Sequence, residues 1–244
     1  MKVVILAAGF GSRLKDLTKS KGKALVTLKG HPLIDYAIAF TDKSIVSKRY
    51  IVGGFTFDKL KSHIEQLKPS RTELIENKDY NKGNILTLEK AIDFFDDDML
   101  IMNVDHVYNP VIFDVVTSDF KGIRGVVDHD RALGDDDMKV KLSAEGKIKD
   151  ISKQLRDFDK GYIGMTLIAK DHISVYKDAF NKVLKEKGEG ANIEAVLQML
   201  SDTGKAGGVV DVSNYKWLEI DNQDELKVAE EALNKYPDVF PYFS

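Results

Sequence analysis

Cysteine is missing from the 244-residue chain, which excludes disulfides, thiolate catalysis and cysteine-ligated zinc. The five histidines, His31, His63, His106, His129 and His172, never fall at zinc-ligand spacing. Neither sign of charge dominates, 36 basic residues standing against 39 acidic ones, so the chain offers no basic footprint for nucleic acid. No apolar run approaches the roughly 20 residues that cross a bilayer. The short VVILAA near the start lacks the cationic flank, longer apolar stretch and cleavage site of a secretory leader. These absences lead us to expect a cytoplasmic protein with no membrane insertion. Linkers, repeats and low-complexity tracts are missing as well, so one domain over residues 1–244 is the simplest expectation.

What is present alternates. Lys2 to Ala8 is a continuous apolar run, the pattern of a strand buried on both faces of a parallel sheet. KALVTL, KRYIVGG, TELIEN and DMLIMNVD read as further strands. PLIDYAIAFT, FDKLKSHIEQL and NILTLEKAIDFF lie among them and read as helices. Such alternation predicts a mostly parallel α/β sheet with helices on both faces. Later, MKVKLSAEGKIKDISK places AEG between two alternating runs, a hairpin signal. GYIGMTLIA and VVDVSNYKWLEID follow as strands, with ISVYKDAFNKVLKEKG, NIEAVLQMLSD and DELKVAEEALNKY as helices. The fold class is therefore a Rossmann-like mixed sheet with a late antiparallel section. Adjacent aspartates at 96–98 and 135–137 read as solvated loop charge.

The loop after the first strand is LAAGFGSRL. Gly9 and Gly11 have GxG spacing, but Leu14 stands where a dinucleotide fingerprint needs its third glycine, and no Gly-Lys-Ser/Thr follows. Glycines let backbone amides approach a phosphate chain. Arg13 adds a fork suited to phosphate oxygens, and Lys23 a second positive charge. Phosphate chemistry also needs a counter-charge, for which magnesium held by one or two carboxylates is the usual solution. Asp105 ends an apolar strand, where a carboxylate points into the ligand crevice of an open α/β sheet; a turn or cap role is the alternative. Asp221 ends WLEID and precedes a helix, so capping is open to it too.

The stretch VVILAAGFGSRL…KALVTLKGHPLIDYAI resembles the opening of the sugar-phosphate nucleotidyltransferases, whose pattern is a strand, GxGxRL, then Pro-Lys. Gly22 replaces that proline here. The resemblance implies a nucleotidyltransferase or GT-A-like fold and a nucleotide site formed by Leu6, Ala7, Ala8, Gly9, Gly11, Ser12, Arg13, Lys23, Gly83, Asn84 and Asp105. Arg13 and Lys23 would be catalytic, and Asp105 with Asp221 would hold Mg2+. Asn84 would face the base. Lys153 would reach the acceptor phosphate, with Lys139 as a second candidate, and Gly161, Tyr162, Gly164 and Glu194 would line the acceptor pocket.

NKGN and VDHVYNP are most similar to the cytidylyltransferase branch, particularly its inositol-1-phosphate enzymes. That implies CTP and inositol 1-phosphate as substrates and CDP-inositol and pyrophosphate as products. The product would pass to a separate membrane-embedded transferase, and a homodimer stays open. Phosphocholine or another sugar 1-phosphate as acceptor, a GT-A-like glycosyltransferase and a silent nucleotide sensor are the competing readings.

Overall fold

In the computed structural model, which describes residues 1–243, strand β1 (Lys2–Ala7) sends alternate side chains into two different apolar clusters. Val4 and Leu6 join one, Val3, Ile5 and Ala7 the other. This is why the run is apolar throughout: a pleated strand with packing on both faces has no solvent side. β4 (Lys48–Gly53) and β6 (Met99–Asn103) flank β1 in parallel, and β5 (Thr72–Glu76) lies parallel beyond β4. Helices α1 (Leu33–Phe40), α2 (Phe57–Leu67) and α3 (Ile85–Glu89) intervene.

The second half is mixed, as the sequence predicts. β11 (Lys160–Ile168) runs antiparallel to β6 on one edge and to β8 (Ile123–Asp128) on the other. The hairpin of β9 (Lys139–Leu142) and β10 (Ile148–Ser152) joins the start of β11, and β12 (Gly208–Asp211) lies parallel to β8. Helices α5 (Ile173–Lys187), α6 (Ala195–Asp202) and α7 (Gln223–Lys235) complete this half.

Several expected elements differ. KALVTL forms a 3-10 turn at Lys23–Leu25 and only a two-residue strand, β2 (Thr27–Leu28), paired with β3 (His31–Pro32). The turn carries Lys23 back over the glycine loop, its N–H donating to the Gly9 carbonyl at 3.3 Å. NILTLEKAIDFF breaks into α3 and a 3-10 turn at Ile92–Phe94. VVDVSNYKWLEID is two strands in two sheets, β12 and β13 (Trp217–Glu219). β13 pairs with β7 (His106–Tyr108), which together with α4 (Val111–Thr117) lies in a stretch that the sequence pattern left without elements.

The β7–β13 pairing is what builds the site. It sets Glu219 opposite His106 and Trp217 opposite Tyr108. The Ile220 N–H donates to the Asp105 carbonyl at 2.9 Å. Asp105 and Asp221 are thereby brought side by side at the carboxyl end of the central strands.

Candidate active site

A cleft of about 450 Å3 opens there, walled by the loop after β1, the β6–β7 and β8–β9 loops, the ends of β11 and β13 and the approach to α6. Gly11 sits in the left-handed region at φ 74°, and a Cβ on it would press on Lys23 and Thr18 at 3.1–3.2 Å. The amides of Phe10, Gly11 and Ser12 donate to no protein acceptor among the described residues, so they remain for an anion. Leu6, Ala7 and Ala8 are buried beneath the loop. The Leu6 and Ala8 carbonyls tie down Val104 and Phe55, so these residues form the floor and Gly9, Gly11, Ser12 and Arg13 the lining.

Lys23 is 9% exposed, and its ammonium contacts Asp105 Oδ2 at 2.5 Å and Asp221 Oδ1. Burial alone would depress the lysine; the two carboxylates outweigh it and hold its pKa above the usual value. Burial likewise opposes charge on Asp105, but Lys23 and His106 overcome it and keep that carboxyl well below the usual range. Arg13 pairs with Asp221 and, at 2.9 Å, with Asp136. The capping role open to Asp221 falls to Asn222, whose Oδ1 accepts from Asp224 N and Glu225 N. Asp221 is left to face the cleft.

Gly22, where the resembled pattern has proline, has an extended backbone that proline could adopt. Its N–H donates to Thr56 Oγ1 at 2.7 Å, and an added Cβ would lie 2.8 Å from the Phe55 carbonyl oxygen. Glycine therefore supplies a donor and a clearance that proline lacks.

The expected acceptor residues divide. Lys153, Tyr162, Gly164 and Glu194 line the cleft. The Lys153 ammonium makes no hydrogen bond among the described residues, while Glu194 is 9% exposed and burial raises its pKa. Lys139 stands outside: its ammonium donates to the carbonyls of Gly134, Asp137 and Lys153, holding the β8–β9 loop. Gly161 also lies off the cleft, packed on Leu133. Gly83 serves a backbone crossing, since a Cβ there would sit 2.2 Å from the Ala191 carbonyl oxygen. Asn84 lines the cleft, but its Oδ1 accepts from Ile193 N at 2.7 Å. Only the Asn84 NH2, and not both ends of the amide, is therefore without a partner among the described residues.

Two groups carry no role in the sequence reading, and a third has a different one. His106 bonds Asp105 Oδ1 through Nδ1 at 2.6 Å, so a histidine does belong to the site. Glu219 shares the cleft with Asp221, and strand alternation in WLEID could have found it, because positions two apart face the same way. The 135–137 aspartates are not simply solvated: Asp136 holds Arg13, and Asp137 holds Arg131 at 2.6 Å and accepts from Gly134 N.

A glycine cradle facing cationic side chains and paired carboxylates, on a mostly parallel sheet, is the layout of a nucleotidyltransferase. The chain belongs to the MobA-like NTP transferase domain family, which its residues 3–127 match. It is 26% identical to the bifunctional protein GlmU of Methanococcus maripaludis over 96% of this chain and 55% of that one. It is 28% identical to the bifunctional IPC transferase and DIPP synthase of Aquifex aeolicus, over 95% of this chain and 51% of that one. The chain thus spans about half the length of both these curated relatives. The structure of the inositol-1-phosphate CTP transferase from T. maritima superposes with a TM-score of 0.80 at 23% identity, covering 97% of this chain and 96% of that one. Among the described residues no helix is long and apolar enough to cross a membrane.

Proposed function

We propose that the protein is a cytidylyltransferase that moves CMP from CTP to inositol 1-phosphate, releasing pyrophosphate. The observation that carries this is the convergence of Asp105, Asp221 and Lys23 beside the amides of the glycine loop. Two hard oxygen donors already share one cation, the lysine ammonium. Among the described residues no group of three or more His, Asp or Glu side chains converges as a protein-only metal cage, here or elsewhere, so a cation at this pair would need oxygens from the substrate. Magnesium suits this donor set, because it takes one or two carboxylates and completes its shell with substrate phosphates and water. Asp105 and Asp221 would hold it, and when bound it supplies charge neutralisation and Lewis acidity at the triphosphate.

The remaining work belongs to the chain. The loop amides and Arg13 seat the triphosphate and stabilise the leaving pyrophosphate. Lys23, drawn from the carboxylates, steadies the α-phosphate and the incoming acceptor phosphate. Lys153, unpaired among the described residues, receives the acceptor phosphate. That phosphate is already anionic, so attack in line needs no general base; positioning and charge stabilisation carry the rate.

Two features favour a polyol acceptor over a choline. Tyr162 and His106 supply the only aromatic rings among the described cleft residues; the Tyr162 hydroxyl is bonded to Thr166 and His106 to Asp105. Such a lining is not the cage of aromatic faces that a quaternary ammonium seeks. Glu194 and Glu219 instead offer acceptors for hydroxyl groups, and the Asn192 NH2 a donor, its Oδ1 accepting from Ala195 N. A screen of the four nucleoside triphosphates against inositol 1-phosphate, phosphocholine and hexose 1-phosphates, with radiolabel in the α-phosphate, tests this. CDP-inositol should dominate; dominant transfer to phosphocholine, or from another triphosphate, overturns the corresponding half of the assignment.

A further inference from the structure

The two oxygens of Asp105 are in different hands. Oδ2 faces the Lys23 ammonium at 2.5 Å, while Oδ1 is taken by Nδ1 of His106 at 2.6 Å. His106 is only 4% exposed, and its position is over-determined. Its ring lies nearly parallel to Tyr108 and Trp217, with centroids at 5.6 and 5.3 Å and planes 16° and 15° apart. Trp217 is itself held, donating from Nε1 to Asp128 Oδ2 at 2.7 Å and covered by the Arg131 guanidinium at 4.9 Å. On the other side His106 lies against Gly164, whose φ of 72° is the left-handed conformation. A Cβ there would meet His106 Cε1 at 2.9 Å and Nε2 at 3.1 Å, so no larger residue leaves room for the ring. Nε2 faces Glu219 Oε1 at 3.9 Å.

A carboxylate free to rotate presents one oxygen or both to a cation. We propose that His106 is a positioning residue for the cation pair. By occupying Oδ1 it fixes the Asp105 carboxylate so that Oδ2 alone faces the position now filled by the Lys23 ammonium, opposite Asp221. This rests on the cation-binding reading of Asp105 and Asp221 above. It assigns a task to the packing of Trp217, Tyr108 and Gly164, which hold the imidazole. Partners that orient a ligating group in this way are typically worth about 10- to 100-fold in metal affinity.

The test uses Mn2+ as a spectroscopic probe, its affinity measured by electron paramagnetic resonance with CTP present, for the intact protein and three variants. His106→Asn keeps an N–H near the Nδ1 position; His106→Gln carries its amide out to the Nε2 position; His106→Leu has no donor. Circular dichroism and urea unfolding report folding. Wild type and His106→Asn should bind Mn2+ alike, with His106→Gln and His106→Leu weaker by about 10- to 100-fold. A histidine that only fills space would show no difference between the Asn and Gln variants, and that result overturns the proposal even if His106→Leu does not fold. If the wild type with CTP binds no Mn2+, the cation reading itself is wrong and the proposal goes with it. If the wild type binds and all three folded variants match it, the positioning role alone is refuted.

Discussion

Lys23→Ala should cost stability in the absence of a divalent cation and much less in its presence. In the free protein the Lys23 ammonium is buried between two carboxylates. Removing one member of a buried ion pair typically costs about 3–5 kcal/mol, because the partner charge is left without compensation. Both acids here keep a second partner, Asp105 in His106 and Asp221 in Arg13, so the lower end, about 3 kcal/mol, applies. Reading the lysine as a phosphate ligand alone predicts little change in stability; its burial in the ion pair reverses that. Millimolar Mg2+ should recover much of the loss in the variant and add less to the wild type, since a ligand bound only by the native state stabilises it. Urea unfolding with EDTA and with Mg2+ measures both. Turnover should fall about 100-fold or more, the usual loss when a charge-stabilising donor is removed from a reacting centre. Stability within about 0.5 kcal/mol of wild type without metal, the range of an ordinary surface change, would refute the buried-pair reasoning. Near-normal turnover would refute the role assigned to Lys23.

Gly22→Pro should lower stability by about 1–3 kcal/mol in urea unfolding, because Thr56 Oγ1 loses its donor and the new Cβ presses on the Phe55 carbonyl; an unchanged midpoint argues against that account. Burial raises the Glu194 pKa above its unfolded value, so the stability that its protonated form contributes is present below the unfolded pKa and is lost as pH rises through the folded one. Glu194→Gln should therefore gain on the wild type in unfolding assays at pH 7.5 and not at pH 4, while raising the KM for the acceptor. Equal gains at the two pH values would show that the carboxyl is solvated. Arg49, 1% exposed, donates to Thr41 Oγ1 at 2.8 Å and Thr72 Oγ1 at 2.7 Å. Arg49→Met should cost about 2–3 kcal/mol in chemical denaturation and leave the KM for CTP unchanged, because its partners lie away from the cleft.

Elements that carry their own periodicity could be read before any coordinates. β1 is apolar because it packs on both faces, and FDKLKSHIEQL is a helix residue for residue. The β9–β10 hairpin was legible from the alternation on either side of AEG. KALVTL misled because its apolar residues serve a turn that must carry Lys23 back over Gly9; a strand would have sent the lysine onward. VVDVSNYKWLEID misled because alternation says which face a residue takes and not which sheet it joins. The site shows the same division. The glycine loop, Arg13 and the paired aspartates each carry a local signature. His106 lies within VDHVYNP, but nothing local gives it a role, since its place depends on a missing Cβ at Gly164, an indole at Trp217 and a carboxylate at Asp128, contributed by three other strands. Lys139 shows the converse. Its surroundings in sequence suit a substrate lysine, yet two carbonyls of the β8–β9 loop and that of Lys153 take its ammonium, and only the tertiary structure decides which of the two lysines has no partner among the described residues.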